Sequence, residues 1–429
     1  MPLSKYFERS FQRRFQQSAA AVQPDESEIN ALAFFSGKLP EHNLTPDDLF
    51  LLTLALIPHQ NPVLLDRLFA DILGEGEFPQ LGGIRGKQHR GILPTGETAL
   101  FLLAKEDSEE RIRIQKEYLS PNHWLFREQV LYLEPALDGE PRLSGKLLMN
   151  PDYVELFTTG EVSPPRFSTD FPAQLISTRQ EWGDLVLHPH TRQQVESLQH
   201  WLEHGNRLLR DWGMDRKFKP GYRALFYGPP GTGKTLTAML LGKHAGRNVY
   251  RVDLSMVVSK YIGETEKNLS KLFDKAEHKD WILFFDEADA LFGKRTGVRD
   301  AHDRYANQEI SYLLQRVEGY NGLVILASNL RENIDDAFLR RFQSLIHFPI
   351  PRPGERLRLW QNAIPEALSL EDDVDLKIIS DRYEVSGADI MNIVHYCCLE
   401  TMAQERQVLS LHLLADGIQR ELQKLGKGG

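Results

Sequence analysis

The octapeptide GPPGTGKT at residues 228–235 decides the fold of this chain. It follows the apolar run 223–227, which indicates a buried strand, and it precedes a helical run at 236–244. Glycines let a backbone curl so that its N–H groups point inward, and the N-terminus of a helix adds a partial positive charge. A strand, a loop and a helix in this order form a phosphate-binding P-loop, and the alternative of a chance Gly-rich turn is disfavoured. The predicted nucleotide-binding residues are Gly228, Pro229, Pro230, Gly231, Thr232, Gly233, Lys234 and Thr235.

Two acids follow a second apolar run, ILFFDEADALF at 282–292. Asp286 is placed to join Thr235 around Mg²⁺, while Lys234 reaches the β- and γ-phosphates. Glu287 is placed to activate the attacking water as a general base. A helix-capping Asp-Glu pair is the alternative, and it is disfavoured beside a P-loop. The two motifs together predict binding of Mg·ATP followed by its hydrolysis.

Two further segments carry candidate catalytic residues. VILASN at 324–329 is an apolar strand that ends in an amide, Asn329. If this strand lies between the P-loop strand and the Asp286 strand, Asn329 meets the γ-phosphate and the lytic water. DDAFLRRF at 335–342 ends a helix with Arg340 and Arg341. An arginine supplied across a subunit boundary can stabilise charge on the γ-phosphate, and a pair of surface arginines is the alternative.

The order of apolar and helical runs predicts the domain organisation. From Trp182 onward, strands predicted at 223–227, 248–253, 281–285, 323–327 and 344–348 alternate with helices, which indicates a parallel sheet covered on both faces. After Pro353 the chain indicates helices only, through Leu425. We therefore predict an ATPase domain over 173–350 and a helical lid over 351–429.

The region before residue 173 carries no catalytic motif. Phe7, Phe11 and Phe15 recur every four residues among arginines, so residues 1–30 are predicted as a basic amphipathic helix with a linker. That helix either packs on its own domain or docks on a partner or a membrane surface. Residues 31–172 are predicted as a mainly helical partner-binding region with a basic loop at 82–91, and a winged-helix-like module is one arrangement that fits.

Composition limits the classes of function. The formal net charge is -9, which disfavours wrapping of nucleic acid, although the loop at 82–91 keeps a nucleic-acid motor open. The two cysteines are adjacent, so no disulfide framework exists and a reducing cytoplasm is the expected location. We find no apolar run long enough to span a membrane and no secretory signal. HWLEH at 200–204 fits an inverted zinc-peptidase pattern, but so short a pattern is weak evidence for a metal.

Together these motifs resemble the AAA family of ATPases in its protein-remodelling branch, over about Trp182 to the C-terminus. The resemblance implies a sheet of strand order 5-1-4-3-2. It makes Lys234 and Thr235 the Walker A pair, Asp286 and Glu287 the Walker B pair, and Asn329 the first sensor. Arg340 and Arg341 match the arginine-finger position. Family members usually separate two such arginines, so their adjacency here leaves the choice open, and we favour Arg341.

The resemblance also extends to the lid and to loops that would face a central pore. SGAD at 386–389 resembles a lid motif that lacks a second-sensor arginine, which implies that Gly387 and Ala388 lie near the adenine and ribose. EGY at 318–320 resembles an inter-subunit signalling motif. The segment at 260–266 resembles a first pore loop, with Lys260, Tyr261 and Ile262 facing a client, and 296–305 falls where a second pore loop would lie.

More narrowly, the chain resembles the ATPases associated with bacterial extracellular contractile injection systems. This resemblance implies a cytoplasmic bacterial protein with a phage-tail-like particle as partner. The function expected from the resemblances is remodelling of a protein client by a hexameric homo-oligomer that hydrolyses ATP. A nucleic-acid motor or loader and a nucleotide-gated assembly scaffold are the alternatives.

Overall fold

The computed structural model describes residues 2–16, 25–73, 79–168, 171–254, 264–277, 279–288, 311–329, 336–424 and 426. By contacts the chain divides into two compact units, Met1–Pro164 and Pro165–Gly429. This boundary lies before the predicted one at 172/173, and the predicted boundary at residue 30 falls inside a helix. The further division of the second unit into two domains stays a prediction.

The first unit is mainly helical and is built around one apolar helix. Its elements are α1 Pro2–Gln16, α2 Glu26–Ser36, α3 Pro46–Gln60, α4 Leu64–Leu73, β1 Ile84–Arg85, β2 Ile92–Leu93, α5 Gly96–Ala104, α6 Ser108–Glu117, α7 Trp124–Arg127, β3 Leu131–Leu133, β4 Leu147–Met149 and α8 Pro151–Thr159. Helix α3 is buried from Asp48 to Pro58. It starts at a capping box, in which Thr45 and Asp48 each accept a hydrogen bond from the other's backbone N–H.

Helix α1 packs on its own unit. Phe7 stacks on Phe50 at 5.6 Å between ring centroids, and Phe11 lies 5.6 Å from Phe69. Both Phe7 and Phe11 are buried. The basic face is also engaged, since Arg14 bonds to Asp47 at 2.8 Å. The aromatic stripe therefore serves the core of this unit, which favours the first of the two interpretations of the helix.

The basic loop at 82–91 connects β1 to β2 and is partly neutralised. Arg85 bonds to the Asp66 carboxylate at 2.8 Å and donates to the Arg90 carbonyl at 2.6 Å. Lys87 and Arg90 are exposed. Among the described helices no single one is long and apolar enough to cross a membrane. One pair bent by 113°, Pro46–Gln60 with Leu64–Asp71, qualifies by length and composition only.

The second unit is built on a six-stranded sheet. Its elements up to the last strand of this sheet are β5 Ala173–Ile176, α9 Pro189–Arg210, β6 Tyr222–Tyr227, α10 Lys234–Ala245, β7 Val249–Val252, α11 Glu264–Glu277, β8 Ile282–Phe285, the helical residues 311–319 (α12), β9 Leu323–Ser328, α13 Asp336–Leu339 and β10 Ser344–His347. The spatial order is β10-β6-β9-β8-β7-β5. Counted from the P-loop strand β6, the five parallel strands therefore lie in the order 5-1-4-3-2.

One strand of this sheet was not predicted. Strand β5 pairs antiparallel with β7, from Ala173 opposite Val252 to Ile176 opposite Val249. It is only four residues long and directly follows a segment rich in proline, serine and threonine. Its sequence alone carries too little periodicity to indicate a strand. The sheet therefore mixes five parallel strands with one antiparallel edge strand.

The C-terminal segment forms a small helical bundle with its own core around the buried side chain of Trp360. Its elements are α14 Pro353–Ala363, β11 Ser369–Leu370, α15 Leu376–Arg382, α16 Gly387–Ala403, β12 Val408–Leu409 and α17 Leu411–Lys424. The expectation of helices only was wrong at one point, because β11 and β12 pair as a short parallel ladder. Two residues per strand are too few for a sequence pattern to show.

We expect Phe7→Ala to destabilise the first unit by about 3–5 kcal/mol, because the lost ring leaves a cavity against Phe50. Ile29→Ala, at a side chain that is 55% exposed in the same unit, should change stability by less than about 0.5 kcal/mol. Chemical unfolding followed by circular dichroism measures both. Equal effects of the two substitutions would show that α1 is a dispensable appendage.

Candidate functional site

The P-loop connects β6 to α10 and depends on glycine at defined positions. Gly228 has φ 144° and lies so close to the next strand that an added Cβ would sit 2.1 Å from the Phe348 carbonyl oxygen. Gly233 has φ 98° and caps α10. Thr232 closes the turn by donating its hydroxyl to the Pro229 carbonyl at 2.8 Å. The curled backbone that the sequence predicts is therefore present, since only glycine adopts these angles without strain.

Lys234 is the buried cation of this loop. Its ammonium donates to the carbonyls of Gly228 at 2.6 Å and Pro229 at 2.9 Å. It also lies 3.3 Å from the Asn329 amide oxygen. Asn329 follows β9, which lies between β6 and β8 as the sequence analysis required. The lysine and the asparagine therefore meet at the carboxyl edge of the sheet.

The two acids follow β8 at the same edge. The Glu287 backbone N–H donates to the Asp286 carboxylate at 3.1 Å. Glu287 has φ 51°, a left-handed conformation that costs a non-glycine residue on the order of 1–3 kcal/mol. Its side chain is exposed and lines the cavity described next. Such strain is typical of functional sites, because it turns a side chain in a direction that regular structure would not give.

A cavity of about 520 Å³ brings these residues together. One end holds the P-loop with Lys234, Thr235, Asp286, Glu287 and Asn329. The other end is mainly apolar, and its residues were missed by the sequence analysis. They are Gln180, Asp184, Leu185, Val186, Leu187, Leu359, Asn362, Ala363 and Met391. The apolar run at 185–187 just before α9 was the one available signal, since Leu359 and Met391 reach the site only through the tertiary fold.

The SGAD segment meets the P-loop directly. Ser386 caps α16 and forms a capping box with Asp389. The Ala388 N–H donates to the Gly231 carbonyl at 3.3 Å, and Gly387 also lines the cavity. An added Cβ on Gly231 would lie 2.4 Å from the Ser386 hydroxyl oxygen. Small residues are therefore required on both sides of this contact.

The two arginines lie away from the cavity. Arg340 and Arg341 are exposed, and Arg341 forms an ion pair with Glu318. Just beyond them, Gln343 exchanges two hydrogen bonds with the backbone of Arg223 at the amino end of β6, at 2.8 and 3.0 Å. The P-loop begins at the other end of that strand, four residues or about 13 Å away. No arginine occurs among the described residues that line the cavity.

Several predicted residues have other positions or lie outside the described ranges. Lys260, Tyr261, Ile262 and the segment at 296–305 lie outside them. In the EGY segment, Tyr320 is a core residue whose hydroxyl donates to the Trp281 carbonyl at 2.5 Å, and burial raises its pKa. In HWLEH, the Glu203 carboxylate contacts His244 on α10 at 2.6 Å.

The donors at the phosphate end fit Mg·ATP. Carboxylate and hydroxyl oxygens are the ligands that Mg²⁺ prefers, and Asp286 and Thr235 both line this end of the cavity. The helix N-terminus at Lys234 and the loop N–H groups favour phosphate. The apolar end offers a surface on which a nucleobase can pack.

Comparison with known proteins agrees with this geometry. Residues 224–350 match the family model described as "ATPase family associated with various cellular activities (AAA)". A 26S proteasome regulatory subunit 6B homolog of Dictyostelium discoideum is 33% identical over 216 residues, 48% of this chain and 52% of that protein. A katanin p60 ATPase-containing protein of Danio rerio is 33% identical over 241 residues, 49% and 48% of the two chains. A cell division cycle protein 48 homolog of Archaeoglobus fulgidus is 30% identical over 250 residues, 56% of this chain and 32% of that protein.

These similarities identify the class of the second unit. The chain carries an ATPase domain of the AAA family, and residues 224–350 form its matched part. The chain spans about half the length of the first two of these relatives and a third of the last. The narrower resemblance to ATPases of contractile injection systems stays a prediction.

We expect Gly231→Ala to weaken ATP binding by about tenfold or more, because a Cβ at φ 75° would push against Ser386 and Ala388. Gly213→Ala is the matched control, since Gly213 has φ 63° but an added Cβ would meet nothing within 4 Å. Titration with a fluorescent ATP analogue gives both dissociation constants. If the two variants bind equally well, the contact between the P-loop and α16 has no role in nucleotide binding.

Proposed function

We propose that this protein hydrolyses Mg·ATP in the cavity at the carboxyl edge of its sheet, as a ring-shaped homo-oligomer that remodels a protein client. The observation that carries the proposal is the meeting of Lys234, Asp286, Glu287 and Asn329 around one cavity. A mere nucleotide-gated scaffold has no need of Glu287, which is held there in a strained conformation.

Each of these residues has a distinct chemical role in the proposal. Lys234 exchanges its bonds to P-loop carbonyls for bonds to the β- and γ-phosphates. Asp286 and Thr235 hold Mg²⁺ through oxygen atoms, and the bound ion neutralises charge on the phosphates. Glu287 accepts a proton from the attacking water, and Asn329 orients that water beside the γ-phosphate.

The oligomer follows from the position of the arginines. A γ-phosphate in the cavity would lie at the opposite end of β6 from Arg341, so the arginine of the same chain serves it poorly. In a ring, one protomer's Arg341 can reach its neighbour's nucleotide, and a hexamer is the assembly we propose. The segment 351–429 then acts as a lid, with Gly387 and Ala388 beside the nucleotide.

A protein is the client that the relatives favour. Their names include a katanin p60 ATPase, a proteasome-activating nucleotidase and a regulatory component of the 26S proteasome. For this chain we propose a client that is gripped in the central pore by Lys260, Tyr261 and Ile262, in a cytoplasmic bacterial setting. The first unit, with its separate core, is proposed to bind the partner particle of a contractile injection system.

A nucleic-acid motor is the weaker candidate. Its main support was the basic loop at 82–91, and Arg85 in that loop is paired with Asp66. The net charge of -9 also opposes binding to phosphate backbones. Stimulation of hydrolysis by DNA or RNA would nevertheless decide in its favour.

We expect Glu287→Gln to bind ATP and to hydrolyse it roughly 10²–10⁴-fold more slowly, because the general base is lost. Glu366→Gln, at an exposed acid outside the cavity, serves as the control for loss of one negative charge. Phosphate release under saturating Mg·ATP measures the rates. Near-normal turnover by Glu287→Gln would remove this residue from its proposed role.

We expect Arg341→Ala to lose hydrolysis in a way that a second inactive variant can repair. Mixing it with Lys234→Ala protein creates interfaces that pair an intact P-loop with an intact arginine, so some activity should return. Arg340→Ala alone should retain more activity than Arg341→Ala, which identifies the acting residue. If confirmed mixed rings show no recovery at any ratio, Arg341 does not act across a subunit boundary.

A further inference from the structure

The loop at 180–184 forms part of the wall at the apolar end of the cavity. Gln180 and Asp184 line the cavity at either end of this loop. The loop is folded by its own polar groups, since the Glu181 N–H donates to the Asp184 carboxylate at 2.8 Å. It continues directly into the apolar run at 185–187, which lines the same end of the cavity.

On one side, the loop is fixed to the helix that begins at the P-loop. The Lys243 ammonium, near the end of α10, donates to the Gln180 carbonyl at 3.2 Å and to the Glu181 carboxylate at 2.6 Å. Trp182 also meets His244 edge to face, at 6.5 Å between ring centroids. The helix that holds the phosphate-binding lysine at its start therefore holds this loop at its end.

On the other side, the loop is bonded to the C-terminal bundle. The Asn362 side-chain amide, on α14, donates to the Gly183 carbonyl at 3.2 Å. Asn362 itself lines the cavity, as do Leu359 and Ala363 on the same helix. The bond therefore joins two walls of the cavity at its apolar end, and it is separate from the contact of Ala388 with Gly231.

We propose that Asn362 is a positioning residue that holds α14 against the 180–184 loop and so slows the release of the bound nucleotide. This inference rests on the proposed function, because it concerns the same cavity. A nucleotide whose phosphates lie on the P-loop extends its base toward the end that this bond closes. Both partners are exposed enough for the bond to open without unfolding the bundle, so it can act at each cycle of nucleotide exchange.

The test compares Asn362→Asp with Gln361→Ala. Aspartate keeps the size of the side chain but presents only acceptor oxygens to the Gly183 carbonyl, so the bond is lost. Gln361 is exposed and precedes Asn362 by about 100° around the helix. In stopped-flow displacement of the fluorescent analogue mant-ADP by excess ATP, we expect release from Asn362→Asp to be roughly three- to tenfold faster than from the wild type. Gln361→Ala should release at the wild-type rate.

Two further readouts separate positioning from structural damage. Inhibition of hydrolysis by ADP should weaken in Asn362→Asp, while the rate at saturating ATP and the melting temperature without nucleotide stay unchanged. Lys243→Met cuts the other attachment of the loop and should also speed mant-ADP release. The double variant should release no faster than the faster single variant, because either change frees the same loop.

The outcomes distinguish the inference from the proposed function. If the wild type binds no mant-ADP, the proposed function fails. If it binds mant-ADP and Asn362→Asp releases it at the rate of Gln361→Ala, the inference fails while the proposed function stands. Fully additive effects of Asn362→Asp and Lys243→Met would also overturn the inference, because the loop would then not act as one element.

Discussion

The parallel register of three neighbouring strands is the constraint on which the site depends. Ile325 on β9 lies opposite Ala224 on β6 and opposite Phe284 on β8. Because the three strands run in the same direction, their carboxyl ends meet at one edge of the sheet. The residues that leave those ends therefore converge there. They are Gly228, Asn329 and Asp286.

A second constraint is the close approach of backbone to backbone around the P-loop. Gly228 passes the Phe348 carbonyl, and Gly231 passes the cap of α16, each without room for a Cβ. The loop is thereby held between the end of β10 and the C-terminal bundle. Because the bundle touches the loop itself, a change in the phosphate end of the cavity is transmitted to the bundle without an intermediate element.

The two ends of β6 have different tasks. Its carboxyl end supplies the P-loop, whereas its amino end carries Arg223, a buried guanidinium that donates to the Val317 carbonyl at 3.2 Å and to the Glu318 carbonyl. Burial lowers the pKa of this guanidinium from its ordinary value. Glu318 in turn pairs with Arg341. One strand thus connects the nucleotide pocket of a protomer to the arginine that we propose for its neighbour.

Local sequence by itself determined the phosphate end of the site and, through the strand pattern, the parallel sheet that carries it. Gly228–Thr235, Asp286, Glu287 and Asn329 were predictable because the constraint on each is local. Each is either part of a loop with glycines at left-handed angles or a polar residue directly after a buried strand. The place of Gly387 and Ala388 beside the cavity came from the resemblance to a family rather than from such a local constraint.

Only the tertiary structure decided the rest. The apolar end of the cavity joins residues 180–187 to α14 and α16, which lie far apart along the chain, and no spacing in the sequence connects them. The edge strand β5 and the β11–β12 ladder are too short to carry a period. Backbone angles and strand ends are properties of a few neighbouring residues, so a sequence pattern can reveal them. The wall that closes over a nucleobase forms only when distant apolar faces pack together.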